Sequence, residues 1–484
     1  MTATTNATSV NRAQRKAVLI YTAVTAVVLL LLMLFGVLMR LAQGGDLALP
    51  ADRFYQLMTA HGIGMVAIVG LGSSAVMWYF LARYVRLTTG IFVANLVLFL
   101  AGVVLVLGGI FIGGFAGGWT FLHPLPAKSM GVWGNGAAAS YLIGVLLVGT
   151  GFLLLYLDTA RAIIVRYGSF AAALGWRQLF RGDPSEPPPA TVVATTVVTF
   201  INLLSILVGA VILTVMVVNL YVPRFELDAL LAKNLIFFFG HVFINSTIYM
   251  AVISVYEILP RYSGRPWKSG KVFLAAWSAT LLMVLAVFPH HLFMDFAMPT
   301  WALVIGQVLS YGSGLPVLAV TAVGTLANVH RSGMRWDLPS GLLFLSVLGW
   351  SAGIVPAVID GTIRVNQVMH NTQWVPGHFH FYLLLGVVAM LLGFMCWLTT
   401  GERRARDSAL DRAAFWAYTL GGLGFVLMFL YSGRHGVPRR YAEHLPEWMP
   451  YDRIGALFAV VTVVAFMYLV LRFLTRLRAV AATA

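Results

Sequence analysis

The chain has 484 residues, of which 60% are hydrophobic and only 10% charged, where a soluble domain carries about 25% charged residues. That balance excludes a soluble enzyme, a disordered chain and a disulfide scaffold, and points to a polytopic membrane protein. The formal net charge is +15, from 32 Lys and Arg against 17 Asp and Glu. These cations fall between apolar runs, so they read as topogenic and lipid-facing rather than as a nucleic-acid surface.

A helix that crosses a bilayer needs about 20 mostly apolar residues. The first such run, 17–40, follows a polar, basic tail over 1–16. It is too long for the core of a signal peptide and is expected to be retained. The second run, 55–83, carries His61 near its start, and the third and fourth cover 90–115 and 137–158. A polar segment over 164–190, with Pro187, Pro188 and Pro189, reads as a linker. The fifth run is 191–220, and the sixth, 234–259, has His241 near its start. The seventh, 270–293, ends shortly after His290 and His291. The eighth and ninth cover 300–327 and 340–360; the tenth, 376–400, opens on His378 and His380; the last two are 412–431 and 453–475. The expected fold is an all-α integral membrane protein of twelve transmembrane helices, one membrane domain over 1–484. The single cysteine, Cys396, excludes an internal disulfide, an iron–sulfur cluster and a two-cysteine copper centre within this chain.

The connections alternate in charge. One side holds Arg12, Arg15, Lys16, Arg83, Arg86, Arg161, Arg166, Arg177 and Arg181, then Arg261, Arg265, Lys268, Lys271, Arg331 and Arg335, then Arg403, Arg404, Arg406, Arg476 and Arg478. The positive-inside rule makes this side cytoplasmic, with the 1–16 tail, the 164–190 linker and both termini on it. Arg434, Arg439 and Arg440, between the last two runs, are the exception and invite a functional reason.

With that orientation, His61, His241, His290, His291, His378 and His380, from four helices, share one layer in the outer third of the membrane. An ionisable residue at that depth is costly and is a functional candidate by default. Six unrelated helix-end histidines bonded to backbone would be the plainer reading, but nothing in locating the runs requires a shared layer. At about 100° per residue, His378 and His380 point to nearly opposite faces of their helix. They therefore suit two planar cofactors, one on each side, rather than a single ion. Imidazole suits iron and copper, and haem iron takes axial histidine. His61 offers a second axial ligand to one haem, which leaves the other haem with an open position. His241, His290 and His291 make a three-histidine set that can hold a non-haem metal facing it.

These residues carry a family resemblance. Trp374-Val-Pro-Gly-His378-Phe-His380, preceded by His370-Asn371-Thr372, resembles the haem-binding signature of subunit I in the haem–copper oxidase superfamily. Phe288-Pro-His290-His291 resembles its two-histidine metal motif, and Gly240-His241 and Ala60-His61-Gly62 complete the set. Glu257-Ile-Leu-Pro260 and Pro438-Arg439-Arg440 are most similar to the B-type (ba-type) branch. The resemblance implies that His61 and His380 ligate a low-spin haem, His378 a high-spin haem, and His241, His290 and His291 a second metal, copper or iron. It implies that Arg439 and Arg440 pair with haem propionates, where lipid headgroups would be the alternative, and that His370 and Trp374 lie near the propionates of the active-site haem. Haem type, b or a, is left open.

One residue departs from the pattern. In B-type oxygen reductases a tyrosine follows the sixth-helix histidine by four residues and is covalently linked to it; here the segment is His241-Val-Phe-Ile-Asn245. Splitting dioxygen in one step takes four electrons, and the tyrosine supplies the fourth together with a proton. Asparagine has neither a redox-accessible ring nor an acidic proton. Joining two nitric oxide molecules into nitrous oxide and water takes two electrons and two protons, and nitric oxide reductases of this superfamily lack the linked tyrosine. The expected function is thus a nitric oxide reductase subunit derived from the B-type branch; the alternative is a B-type oxygen reductase with a relocated tyrosine. A haem-bearing sensor or transporter would not need the second metal.

Tyr249, eight residues from His241 and about 12 Å along the helix, is too far to replace the ring, and Tyr256 is read either as an interfacial aromatic or as a step on a proton path. On the eighth run Val320 and Val323 are expected where B-type enzymes place relay hydroxyls, with Thr321 and Thr325 nearby. Asp295 is read evenly as a proton-entry carboxylate or a solvated loop charge. With no CxxCH motif and one cysteine, electrons must come from a partner. The resemblance implies a subunit II with a periplasmic electron-accepting domain, fed by a cytochrome c or cupredoxin, in a bacterial cytoplasmic (inner) membrane, with membrane lipid as the surroundings and no nucleic acid.

Overall fold

The computed structural model describes residues 10–222, 224–400 and 407–483. Residues 1–9 of the expected tail and the cations Arg403, Arg404 and Arg406 lie outside the described residues, as does the Arg478 side chain. Among the described residues, twelve helices are long and apolar enough to cross a membrane: α1 Arg12–Gln43, α2 Ala51–Leu81, α3 Thr89–Ile112, α4 Asn135–Tyr167, α5 Ala190–Tyr221, α6 Ala229–Ser263, α7 Lys271–Leu292, α8 Thr300–Val329, α9 Leu338–Asp360, α10 Trp374–Thr400, α11 Ala409–Arg434 and α12 Met449–Leu477. Each coincides with an expected run, and the chain is an integral membrane protein of all-helical class. In hydrocarbon every backbone amide must be satisfied within its own segment, which is why apolar runs of this length form helices.

Helix ends run past the apolar windows because polar caps extend them. The Asn11 side chain accepts the Gln14 amide at 2.9 Å, with Gln14 bonding back to the Asn11 amide. Asp337 and Ser340 do the same for α9, and Ser408 and Asp411 for α11. Such reciprocal pairs satisfy amides that the first helical turn leaves open. The 164–190 segment contains two short helical pieces, Phe170–Ala173 and Trp176–Phe180, and the Trp176 indole donates to Ser278 of α7 at 3.0 Å.

The helices differ in burial. α2 and α10 are the most thoroughly buried and form the centre, whereas α3, α8 and α11 keep wide outward faces. α1 packs on α2 and α12. Immediately after His380, α10 widens into a π-helical stretch, Phe381–Val388. Such wide turns inside α-helices occur often at functional sites. At its entry, Gly433 of α11 lies against the Trp374 backbone so closely that a Cβ would come within 2.0 Å of the Trp374 amide nitrogen. Beside it, Gln373 N–H donates to Val437 C=O at 2.9 Å and Arg439 N–H to Asn371 C=O at 3.1 Å. These two bonds tie the segment before α10 to the segment after α11.

A buried charge cluster closes this end of the bundle. Arg40, near the end of α1, pairs with Asp452 of α12 at 2.7 Å, and both side chains are buried. Asp452 also accepts from Gln373 at 3.1 Å and from His444 Nδ1. The Arg40 guanidinium lies 4.6 Å from the centre of the Phe429 ring, and Phe429 stacks on His380. Removing one partner of such a pair strands a charge in a low-dielectric interior. Asp452→Asn is therefore expected to destabilise the protein by about 3–5 kcal/mol, seen as a lowered unfolding midpoint in detergent. Asp46→Asn, which breaks the half-exposed Arg453–Asp46 pair, is expected to cost at most about 1 kcal/mol; equal losses for the two would refute the distinction.

Candidate metal centre

Three histidines converge where α6 meets the end of α7. His241 sits one turn or more inside α6, and His290 and His291 lie in the 3-10 turn Phe288–Leu292 that ends α7. His241 Nδ1 is 2.9 Å from His291 Nε2 and 3.3 Å from His290 Nε2. One ligand nitrogen from each lies within 4.8 Å of the others. Nitrogens about 2.0–2.1 Å from a tetrahedral ion stand roughly 3.3 Å apart, so the set fits a metal with little movement. The donor chemistry, three imidazoles and no thiolate, suits copper or iron.

The far-side nitrogens of two of these rings are held. His290 Nδ1 is 2.9 Å from Ser310 Oγ of α8, and His241 Nε2 is 2.6 Å from the Asn245 amide group. The atom at that distance is Asn245 Nδ2; when a metal takes Nδ1 and Nε2 carries the proton, a half-turn of the amide brings its oxygen to Nε2. Phe237 stacks on His291, with ring centres 5.2 Å apart and planes 10° apart. Among the described residues, the ring contacts of the three histidines are with one another and with Phe237. Tyr249 packs edge-on against Trp277 instead, with ring centres 5.5 Å apart.

Two of the three expected haem ligands share one pattern. His61 Nδ1 meets the Leu32 carbonyl at 2.7 Å and His380 Nδ1 the Pro376 carbonyl at 2.6 Å. His378 Nδ1 lies 3.2 Å from Asp360 Oδ2. In the His61 and His380 rings Nδ1 is hydrogen-bonded and Nε2 is left as the ligand atom, the usual arrangement of a metal-bound imidazole, whereas His378 Nδ1 stands near the carboxylate without a hydrogen bond to it. Although α2 and α10 are the central helices, all three rings remain only partly buried, and space beside buried helices is what a planar cofactor requires. Gly36 of α1 belongs to that space, since a Cβ there would stand 3.0 Å from His61 Cε1. His378 faces α9 while His380 stacks on Phe429 of α11, with ring centres 5.2 Å apart. The two rings thus lie on different sides of α10.

The remaining expected residues gather at one edge of this region. His370 Nδ1 is 3.1 Å from Asn366 Oδ1, and the Trp374 indole donates to Pro356 C=O at 3.2 Å. Arg440 donates to Thr120 Oγ1 at 3.2 Å, and Arg439 Nε is buried without a partner. Burial and then the Arg439 charge push His370 down to about 4. Burial and the adjacent Arg440 charge push Arg439 down to about 9. Two guanidiniums with an unfilled donor make a place suited to an anion.

Three expectations change. On α8 the buried hydroxyls are Thr321 and Thr325, while Val323 turns outward, 65% exposed, and Val320 is only partly buried. Tyr256 is hydrogen-bonded to Thr321 at 2.7 Å and lies in the interior against Trp267 and Phe273, so it is not an interfacial aromatic. The difference is one of helix phase: a one-residue step rotates a side chain by about 100°. Asp295 is not simply solvated, for it pairs with Lys233 of α6 at 2.7 Å. Burial opposes its ionisation, but the Lys233 hydrogen bond and charge outweigh that and hold the carboxyl below its ordinary value. Asp360 and Ser310, which support His378 and His290, were not singled out from the sequence. Asp360 alone had a signal, as a lone carboxylate ending an apolar run.

Comparison with known proteins adds the following. The family model described as cytochrome c and quinol oxidase polypeptide I matches residues 16–467. Cytochrome c oxidase subunit 1 of Thermus thermophilus is 28% identical over 268 residues, covering 51% of this chain and 47% of that protein. Cytochrome c oxidase polypeptide 1 of Halobacterium salinarum is 26% identical over 239 residues, covering 48% and 39%. The match thus spans about half or less of the length of these two relatives. Cytochrome c oxidase subunit 1 of Thermostichus vulcanus is 24% identical over 469 residues, covering 90% of this chain and 79% of that protein. A solved heme-copper terminal oxidase dimer superposes with a TM-score of 0.81 at 20% identity, over 97% of this chain and 84% of that one, a likeness of fold.

Proposed function

The chain belongs to the cytochrome c and quinol oxidase polypeptide I family, and from that premise we propose that it is the catalytic subunit of a respiratory reductase that joins two nitric oxide molecules into nitrous oxide and water. Membership implies haems, copper and an oxidoreductase. The observation that carries the finer reading is Asn245, whose amide occupies the space against His241 Nε2. The B-type pattern reserves that place for a linked phenol. An amide there can orient an imidazole but cannot deliver an electron or a proton.

In this reading His61 and His380 hold a low-spin haem, His378 a high-spin haem, and His241, His290 and His291 the non-haem metal, copper or iron. When bound, the high-spin haem and the metal supply the two electrons that the coupling needs. Ser310 and Asn245 fix two of the imidazoles so that their ligand nitrogens face inward. Arg439 and Arg440 hold propionates at the rim, with His370 and Trp374 beside them. Tyr256 and Thr321 form a hydrogen-bonded pair on the inner side that can pass a proton. The subunit sits in a bacterial inner membrane with both termini cytoplasmic and the metal pocket in the outer third. It receives electrons from a subunit II fed by a cytochrome c or cupredoxin.

A second reading, dioxygen reduction to water, is favoured by the names of the relatives above, which are cytochrome c oxidases. Purified protein with a reduced donor separates the two: rapid nitric oxide loss without comparable oxygen uptake supports the first, and the reverse supports the second. Asn245→Leu is expected to slow nitric oxide turnover about 10–100-fold, since it removes a contact that orients a metal ligand. An unchanged rate with metal content intact would show that Asn245 has no such role.

A further inference from the structure

Asp360 is the last residue of α9 and is buried, 7% exposed. Its Oδ1 accepts from the Asn366 amide at 3.1 Å, and the same amide donates to the Asp360 backbone carbonyl at 2.9 Å. Its Oδ2 lies 3.2 Å from His378 Nδ1. No lysine or arginine forms an ion pair with it among the described residues. A carboxylate taken out of water without a cation is expensive, and it persists where strong donors serve it. Asn366 provides one donor at Oδ1, and the His378 ring stands at Oδ2. The placement is fixed from both sides, because the Trp374 indole bonds Pro356 C=O one turn before Asp360. That bond ties the end of α9 to the start of α10, where His378 sits.

We propose that Asp360 is the positioning residue of His378: its carboxylate accepts a hydrogen bond from Nδ1–H, which would aim Nε2 at the iron of the high-spin haem and give the imidazole partial imidazolate character. The Nδ1–H direction is not aligned with Oδ2 as it stands, and a turn of the ring within its broad χ2 well brings it into line. A metal-bound histidine whose other nitrogen donates to a carboxylate is a more basic ligand than one that donates to a carbonyl. The two haem sites then differ by design of the chain, since His61 and His380 donate to carbonyls and His378 to a carboxylate. A more basic axial ligand favours ferric over ferrous iron and keeps the high-spin haem harder to reduce than a carbonyl-backed one. The proposal rests on His378 as the axial ligand, not on which gas is reduced.

The test is resonance Raman of the iron–histidine stretch, with spectroelectrochemistry, on the full holoenzyme and on Asp360→Asn. The variant is expected to move the stretch to lower wavenumber. It is also expected to raise the reduced-to-oxidised ratio of the high-spin haem at fixed ambient potential about tenfold, 59 mV for one electron. Asp360→Glu, which keeps the charge but displaces it, is expected to shift the same band. An unmoved band in whichever variant retains both haems overturns the proposal. Lack of any iron–histidine band in the unsubstituted reduced protein would instead overturn the assignment of His378.

Discussion

His290→Ala is expected to remove the non-haem metal and to lower turnover at least about 100-fold, the upper end of what loss of a merely supporting contact costs a metal site. The geometry makes the effect specific. His290 Nε2 and His291 Nε2 both face His241 Nδ1, so all three rings are needed to complete the ligand set. Two imidazoles leave the ion short of ligands and open to water. Both haem spectra are expected to persist, because His61, His378 and His380 lie on other helices. Metal analysis checks this directly: two haem irons per chain with the further metal gone. Retention of the third metal at full occupancy would remove His290 from the ligand set.

His380→Ala and His378→Ala, two residues apart, are expected to delete different haems. His380 stacks on Phe429 and in the proposed assignment shares a haem with His61, so its loss is expected to remove the six-coordinate low-spin spectrum and leave the high-spin one. His378, against Asp360, gives the opposite result. Turnover falls at least about 100-fold in both, for no route then joins the electron donor to the metal pocket or no haem remains to react. Pyridine haemochrome and low-temperature spectra measure the outcome. The same haem lost from both variants would mean that the two rings serve one cofactor, contrary to their separation across α10.

Much of this was legible in the sequence because its signals are local. Apolar runs of bilayer length are set by hydrocarbon alone, and all twelve helices followed. Their ends were less legible, since caps such as Asn11–Gln14 carry helices into polar sequence. The six histidines stood out because ionisable groups at membrane depth are rare. Long-range partners were not legible. Leu32 behind His61, Ser310 behind His290 and Phe429 against His380 become neighbours only once the helices pack. The inward face of α8 needed the helix phase, which a featureless apolar run does not reveal. The same holds for the Asp360–His378 approach, which depends on how the end of α9 meets α10.

The stoichiometry of anaerobic turnover bears most directly on the central claim. With isotopically labelled nitric oxide, a reduced one-electron donor and purified protein, mass spectrometry counts nitrous oxide while absorbance counts donor oxidised. The account predicts one labelled nitrous oxide for every two electrons consumed. Absence of nitrous oxide, with four electrons drawn per dioxygen once air is admitted, would contradict it.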